Sequence, residues 1–107
     1  MEAKPLKRKI YKTEEEREPF ADWMNRLKGS DAYGRILTRL KRAELGNFGD
    51  HKSVGAGVIE LRIDFGPGYR VYLGRDGDDI ILLCGGTKRN QQGDIEIAQE
   101  FWRDYNA

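Results

Sequence analysis

The feature that most constrains this chain is a change of hydrophobic period near Val58. Upstream, apolar residues recur at helical spacing; downstream they alternate in twos, between glycine-rich turns. Ile59, Leu61, Ile63 and Phe65 point one way, and Val58, Glu60, Arg62 and Asp64 the other. Gly66-Pro67-Gly68 is a turn signal. A second strand follows over residues 69–75, with Tyr69, Val71 and Leu73 on one face and Arg70 and Tyr72 on the other. Asp76-Gly77 predicts a hairpin turn, and residues 79–86 (DIILLCGG) return as an unbroken apolar run. Such a run fits a central strand covered on both faces.

Before Val58, residues 7–12 (KRKIYK) read as a first strand. Thr13 with Glu16 resembles a capping box, but Pro19 suits the first position of a helix and sets the start there. Phe20, Trp23, Met24 and Leu27 then share one helical face. Gly29 ends that helix, and Ser30 or Asp31 caps a second that runs to about Leu45. Tyr33, Ile36, Leu37 and Leu40 form its buried stripe, and Arg35, Arg39 and Arg42 line another face. Gly46 is a C-terminal stop, and the two helices are expected to form a compact antiparallel pair. A last helix spans about Gln92 to Tyr105, with Ile95, Ala98, Phe101, Trp102 and Tyr105 inward. The order is strand, two helices, three or four antiparallel strands, helix. It predicts an α+β fold, a curved antiparallel sheet with the helix pair on its apolar face and a C-terminal helix.

At 107 residues the chain is expected to form a single domain with one modest core. No apolar stretch approaches the roughly 18 residues of a membrane span, and the basic amino-terminal stretch lacks the apolar segment of a secretory signal. The single cysteine, Cys84, fits a reducing cytoplasm. One His and one Cys do not make an ordinary zinc site, so neither metal nor cofactor is expected. A net charge of +1 is low for a nucleic-acid binder, but residues 1–52 hold 13 Lys/Arg against 9 Asp/Glu, and residues 53–107 hold 6 against 9. That asymmetry suggests a basic region.

The alternation places Glu60 and Arg62 on the polar sheet face, with Arg70 and Tyr72 beside them on the next strand. Lys88 and Arg89 follow the central strand in a loop able to reach that face, and Gly66, Gly68, Gly85 and Gly86 leave the backbone open around it. Such a cluster suits a phosphodiester, because Arg offers a planar fork to phosphate oxygens and Tyr a ring to a base. The same alternation equally describes a plain wet face, with Glu60 paired across strands to Arg62 or Arg70. His51 is an acid–base candidate by residue type, although its Gly- and Asp-flanked loop reads as surface. Cys84 reads as a buried, inert thiol, and the Arg35/Arg39/Arg42 row as a solvated helix face or a contact for RNA phosphates.

Residues 46–73 (GNFGDHKSVGAGVIELRIDFGPGYRVYL) resemble the signature of phage-derived addiction-module killer proteins, the HigB-like branch of the RelE/ParE toxin superfamily. EPFADWMNRL (18–27) resembles the first helix of that family, RILTRL (35–40) its second, and residues 82–105 its last strand and helix. The resemblance implies a RelE-like fold with a cleft opposite the helix pair. It also implies a type II toxin that cuts mRNA on the ribosome and is neutralised by an antitoxin, often a helix-turn-helix protein, in a hetero-oligomeric complex. The ELR motif falls on Glu60 to Arg62, the GYR motif on Tyr69 and Arg70, and the GG-x-K element on Lys88. On this basis Arg70 and Arg62 hold the phosphate, Lys88 meets the leaving oxygen and Glu60 is the candidate base. Tyr69 or Tyr72 stacks on a base, and Lys52, Arg89 and His51 contact RNA. Asp94 is the nearest candidate acid on the last helix. Relatives of the ParE type instead poison DNA gyrase, and a module that only binds antitoxin is a third possibility.

Overall fold

A computed structural model describes residues 4–107; the first three residues of the basic amino-terminal stretch lie outside the described residues. The elements are β1 (Lys7–Ile10), α1 (Pro19–Arg26), α2 (Asp31–Glu44), β2 (His51–Ser53), β3 (Ile59–Ile63), β4 (Tyr69–Asp76), β5 (Asp79–Thr87) and α3 (Gln91–Tyr105). A short 3-10 turn, Lys88–Asn90, leads into α3. Local chemistry accounts for most boundaries. Pro19 opens α1 where its missing N–H costs nothing. The Ser30 hydroxyl accepts from the Tyr33 N–H to cap α2. Gly46, at φ +89°, ends α2, with the Asn47 N–H reaching back to the Arg42 carbonyl as in a Schellman motif.

The strands order as β1-β5-β4-β3-β2. Strands β2 to β5 are antiparallel neighbours, but β1 runs parallel to β5, so the sheet is mixed and not antiparallel throughout. The physical reason is connectivity. No hairpin turn ties β1 to a neighbour; the chain leaves one sheet edge, crosses a face as α1 and α2, and re-enters at the opposite edge as β2. Strand β2 occupies the segment expected to be a loop. Its three residues are all exposed and carry no apolar alternation to reveal them. The hairpin loop falls one residue later than expected, at Gly77-Asp78, with Gly77 at φ +57°.

Two apolar layers cover the sheet. Phe20, Trp23 and Met24 of α1 and Ile36 and Leu40 of α2 pack with Leu61, Ile63, Val71, Leu73, Ile80 and Leu82. On the other face Ala98 and Trp102 of α3 pack with Val58, Tyr72, Ile81, Leu83 and Cys84. Strand β5 therefore feeds both layers, as its unbroken apolar run predicts. Helix α1 lies over β5 and α2 approaches β3, and both contribute to the one layer on that face. The face opposite them is not an open cleft: α3 packs over it.

A bulge fixes which side of β5 faces what. Tyr72 pairs with Cys84 and Leu73 with Leu82, leaving Leu83 as the extra residue. Beyond the bulge Gly85 lies under the Trp23 ring and Gly86 under the Asp94 carboxylate; across the hairpin Gly74 lies under Trp102. At each of the three a Cβ would sit well inside van der Waals contact, so glycine is required for close approach. Gly85 and Gly86 thus accommodate side chains and do not border an open concavity.

Candidate functional site

The site begins at Glu60 on β3, which pairs in register with Tyr72 on β4 and with Lys52 on edge strand β2. Glu60 has no solvent exposure. Its carboxylate accepts from Arg62 Nε at 2.8 Å, Tyr72 Oη at 3.1 Å and Gln91 Nε2 at 3.2 and 3.0 Å. Burial alone would raise its pKa. The hydrogen bonds from Arg62, Gln91 and Tyr72, with the Arg62 charge, outweigh burial and hold Glu60 below the usual carboxylate range. The same bond to Glu60 raises the Arg62 pKa.

Arg62 and Arg70 stand directly opposite each other on β3 and β4. Like charges in that position repel, and the buried Glu60 between them is the compensation. Arg70 Nε lies 3.9 Å from Glu60 Oε1. The Arg70 Nη1 donates to the Tyr69 carbonyl at 3.1 Å, while its Nε is buried without a hydrogen-bond partner among the described residues. Only 9% of Arg70 is exposed, so its guanidinium is fixed in place before any ligand arrives.

Arg62, Arg70 and Lys88 converge on a cavity of about 380 Å³ at the β3–β4 turn, with Asp50, Asp64 and residues 66–68 completing its wall. Gly66 and Gly68 take φ of +55° and +81°, values that favour glycine, and so bend the turn around the cavity. The Lys88 N–H donates to the Gly68 carbonyl at 2.8 Å, docking the start of the 3-10 turn against this bend. The Lys88 side chain stays exposed. Three cations from three elements, one nearly buried, form a geometry that receives an anion with fixed donors.

Glu60 does not line this cavity; it is enclosed by its donors and orients Arg62, so it is not a base in contact with a ligand. Neither tyrosine offers a free ring. Tyr72 is fully buried, and Tyr69 lies on the helix-pair face with its ring edge-on to Trp23. His51 pairs with Leu61 and therefore belongs to the same helix-pair face, with Nδ1 on the Gly49 carbonyl at 2.8 Å. Lys52 and Arg89 are exposed but line no part of the cavity. Burial raises the Asp94 pKa over Gly86, outside the cavity wall. Burial, aided by Asp94, pushes the Cys84 thiol up to about 12, which leaves it un-ionised and inert.

Gln91 carries no local sequence signal, and Arg39, expected on a solvated or phosphate-contacting helix face, is instead partly buried on backbone carbonyls. Gln91, the first residue of α3, is 31 residues from the carboxylate it clamps. Arg39 of α2 donates to the carbonyls of Arg62, Phe48 and Asp50, fastening the loop that bears Asp50 to the strand that bears Arg62. Burial lowers its pKa, Asp50 opposes this and the neighbouring Arg42 adds to it. Among the described residues no cluster of His, Cys, Asp and Glu is arranged to hold a metal ion, and no helix is long and apolar enough to cross a membrane.

Fold and site together define a small α+β protein whose described residues form a five-stranded mixed sheet, three α-helices and a cation-lined cavity at one end of the central hairpin. A Haemophilus influenzae protein, described as uncharacterized, is 52% identical over 81 residues, 75% of this chain and 82% of the relative. The chain belongs to the family of that protein. No protein-family model matches the chain, and no solved structure matches it.

Proposed function

We propose that the protein is a RelE-like toxin of a type II toxin–antitoxin system, acting in the cytoplasm as a ribosome-dependent mRNA endoribonuclease. The observation that carries this reading is the convergence of Arg62, Arg70 and Lys88 on one cavity, with Arg70 held nearly buried and its Nε unpartnered. Convergent fixed cations are what cleavage of a phosphodiester requires. The resemblance of residues 46–73 to the HigB-like killer proteins supports the same reading.

In this mechanism the mRNA 2′-oxygen bonds to the adjacent phosphorus and the phosphorus–5′-oxygen bond breaks. The products are a 2′,3′-cyclic phosphate and a 5′-hydroxyl. Arg70 and Arg62 hold the non-bridging oxygens and offset the charge that builds on them. The Lys88 ammonium donates a proton to the leaving 5′-oxygen, and the 2′-hydroxyl proton passes to solvent. Glu60 orients Arg62 without touching the substrate. A cognate antitoxin, of the helix-turn-helix kind found in this branch, completes the system.

The test is primer extension on a translated mRNA after pulse induction of the wild type and of Arg70→Ala. New in-frame 5′ ends are expected in the wild type, reduced on the order of 100-fold or more in the variant. Growth arrest without new 5′ ends would overturn the nuclease reading. Filamentation with DNA damage would then point to gyrase, and no arrest at all to a module that only binds antitoxin.

A further inference from the structure

A second, larger cavity of about 710 Å³ runs along α2, lined by Arg35, Arg39 and Arg42 at helical spacing. It shares Asp64 with the Arg62/Arg70/Lys88 cavity, and Arg39 joins the two physically through its bond to the Arg62 carbonyl. Arg39 is occupied by backbone carbonyls. Arg35 and Arg42 are exposed, and among the described residues neither has a carboxylate within ion-pair distance. The basic residues of β1 differ: Arg8 pairs with Glu44 at 2.8 Å and Lys9 with Asp79 at 2.8 Å. The Arg35 guanidinium lies over the Phe65 ring, its central carbon 4.2 Å from the centroid, which limits the rotamers it must give up on binding.

The floor between these arginines is low. Gly34 lines the cavity with no heavy atom within 4 Å of where a Cβ would stand. Packing within the chain therefore does not account for glycine at this position, where alanine would favour the helix by about 1 kcal/mol. Its place on the wall leaves room for a ligand backbone. Taken together, the two cavities present six cations against three carboxylates, Asp31, Asp50 and Asp64.

We infer that the two cavities form one track for a single-stranded RNA backbone: the scissile phosphate sits at Arg70, and flanking phosphates cross Asp64 onto Arg35 and Arg42 of α2. The track rests on the RNA-cleaving reading and adds to it where the strand lies beyond the reacting phosphate. Its chemistry is charge neutralisation along a repeating anion, so it confers affinity and register but no base specificity.

The test is fluorescence-anisotropy binding of a uniformly 2′-O-methylated RNA 12-mer, which is not cleaved, over a salt series. The Arg35→Ala/Arg42→Ala pair is expected to make the slope of log affinity against log salt shallower by about 1.4, two phosphates on a single strand. Circular dichroism shows whether α2 is intact in the pair, and Arg35→Gln/Arg42→Gln repeats the measurement with the side-chain stems kept. An unchanged slope in a folded pair overturns the track, as does failure of the wild type to bind the 12-mer at low salt. Loss of poly-glutamate binding with RNA binding retained also overturns it and makes the groove a protein-docking surface. The two readings fail distinguishably: wild-type mRNA cleavage with an unchanged slope sinks the track alone, and a shallower slope in the pair without wild-type cleavage sinks the nuclease and, with it, the scissile phosphate at Arg70.

Discussion

Glu60 shows how one residue sets the electrostatics of its surroundings. Two arginines opposed across β3 and β4 would repel, and a buried carboxylate without donors would protonate; together they satisfy each other. Removing the charge while keeping the shape isolates this effect. Glu60→Gln is expected to destabilise the fold by about 3 kcal/mol at neutral pH, because it leaves Arg62 and Arg70 uncompensated. The sign of the pH dependence follows from the lowered pKa. A carboxylate whose folded value lies below its unfolded value contributes stability that is present above the unfolded value and lost as pH falls through the folded one. Urea denaturation of wild type and variant from neutral to acid should therefore show their difference narrowing below the usual carboxylate range. A constant difference across that range would mean that folding does not lower the Glu60 pKa.

At the scale of elements, three strand glycines let aromatic and acidic side chains from the helices reach the sheet backbone. Trp23 of α1 rests on Gly85, and Trp102 of α3 on Gly74. The β5 bulge turns Gly85 towards α1 and Gly86 towards α3. Gly85→Ala forces a methyl into the Trp23 ring and is expected to cost about 1–3 kcal/mol through overpacking. Gly34→Ala is the internal control. With open space around its Cβ, it should leave the denaturation midpoint unchanged or raise it. Equal effects of the two substitutions would show that packing against Trp23 is not what requires glycine in β5.

For the whole molecule, one sheet carries two apolar layers, and β5 supplies side chains to both. The Cα radius of gyration, 13.1 Å, matches the about 13 Å usual for a compact fold of 100 residues. Neither layer closes without β5, so the two are expected to unfold together. Trp23 reports on the helix-pair layer and Trp102 on the α3 layer. Single-tryptophan variants, Trp102→Phe and Trp23→Phe, should each give one fluorescence transition that coincides with that variant's own loss of far-ultraviolet circular dichroism. A fluorescence transition that precedes the loss of secondary structure in either variant would mean that its layer melts by itself.

The kinds of element and the faces they bury belong to the sequence. Alternation in residues 58–65 and 69–75 placed Leu61 and Val71 in one layer and Glu60, Arg70 and Tyr72 on the other face, and the spacing of Phe20, Trp23 and Met24 marked the buried side of α1. These are local properties, read over a turn of helix or a pair of strand residues. Proline, serine and glycine at the helix ends are local as well. Only the tertiary structure decided that β1 runs parallel, since no turn ties it to a partner. It also decided that α3 closes over the polar face, burying Tyr72 and setting Gln91 on Glu60, and that Arg39 is spent on backbone carbonyls while Arg35 and Arg42 make no ion pair among the described residues. A pattern of alternation says that a charged residue leaves the apolar face. It does not say whether water, a helix or another charge receives it, because that partner comes from a distant part of the chain.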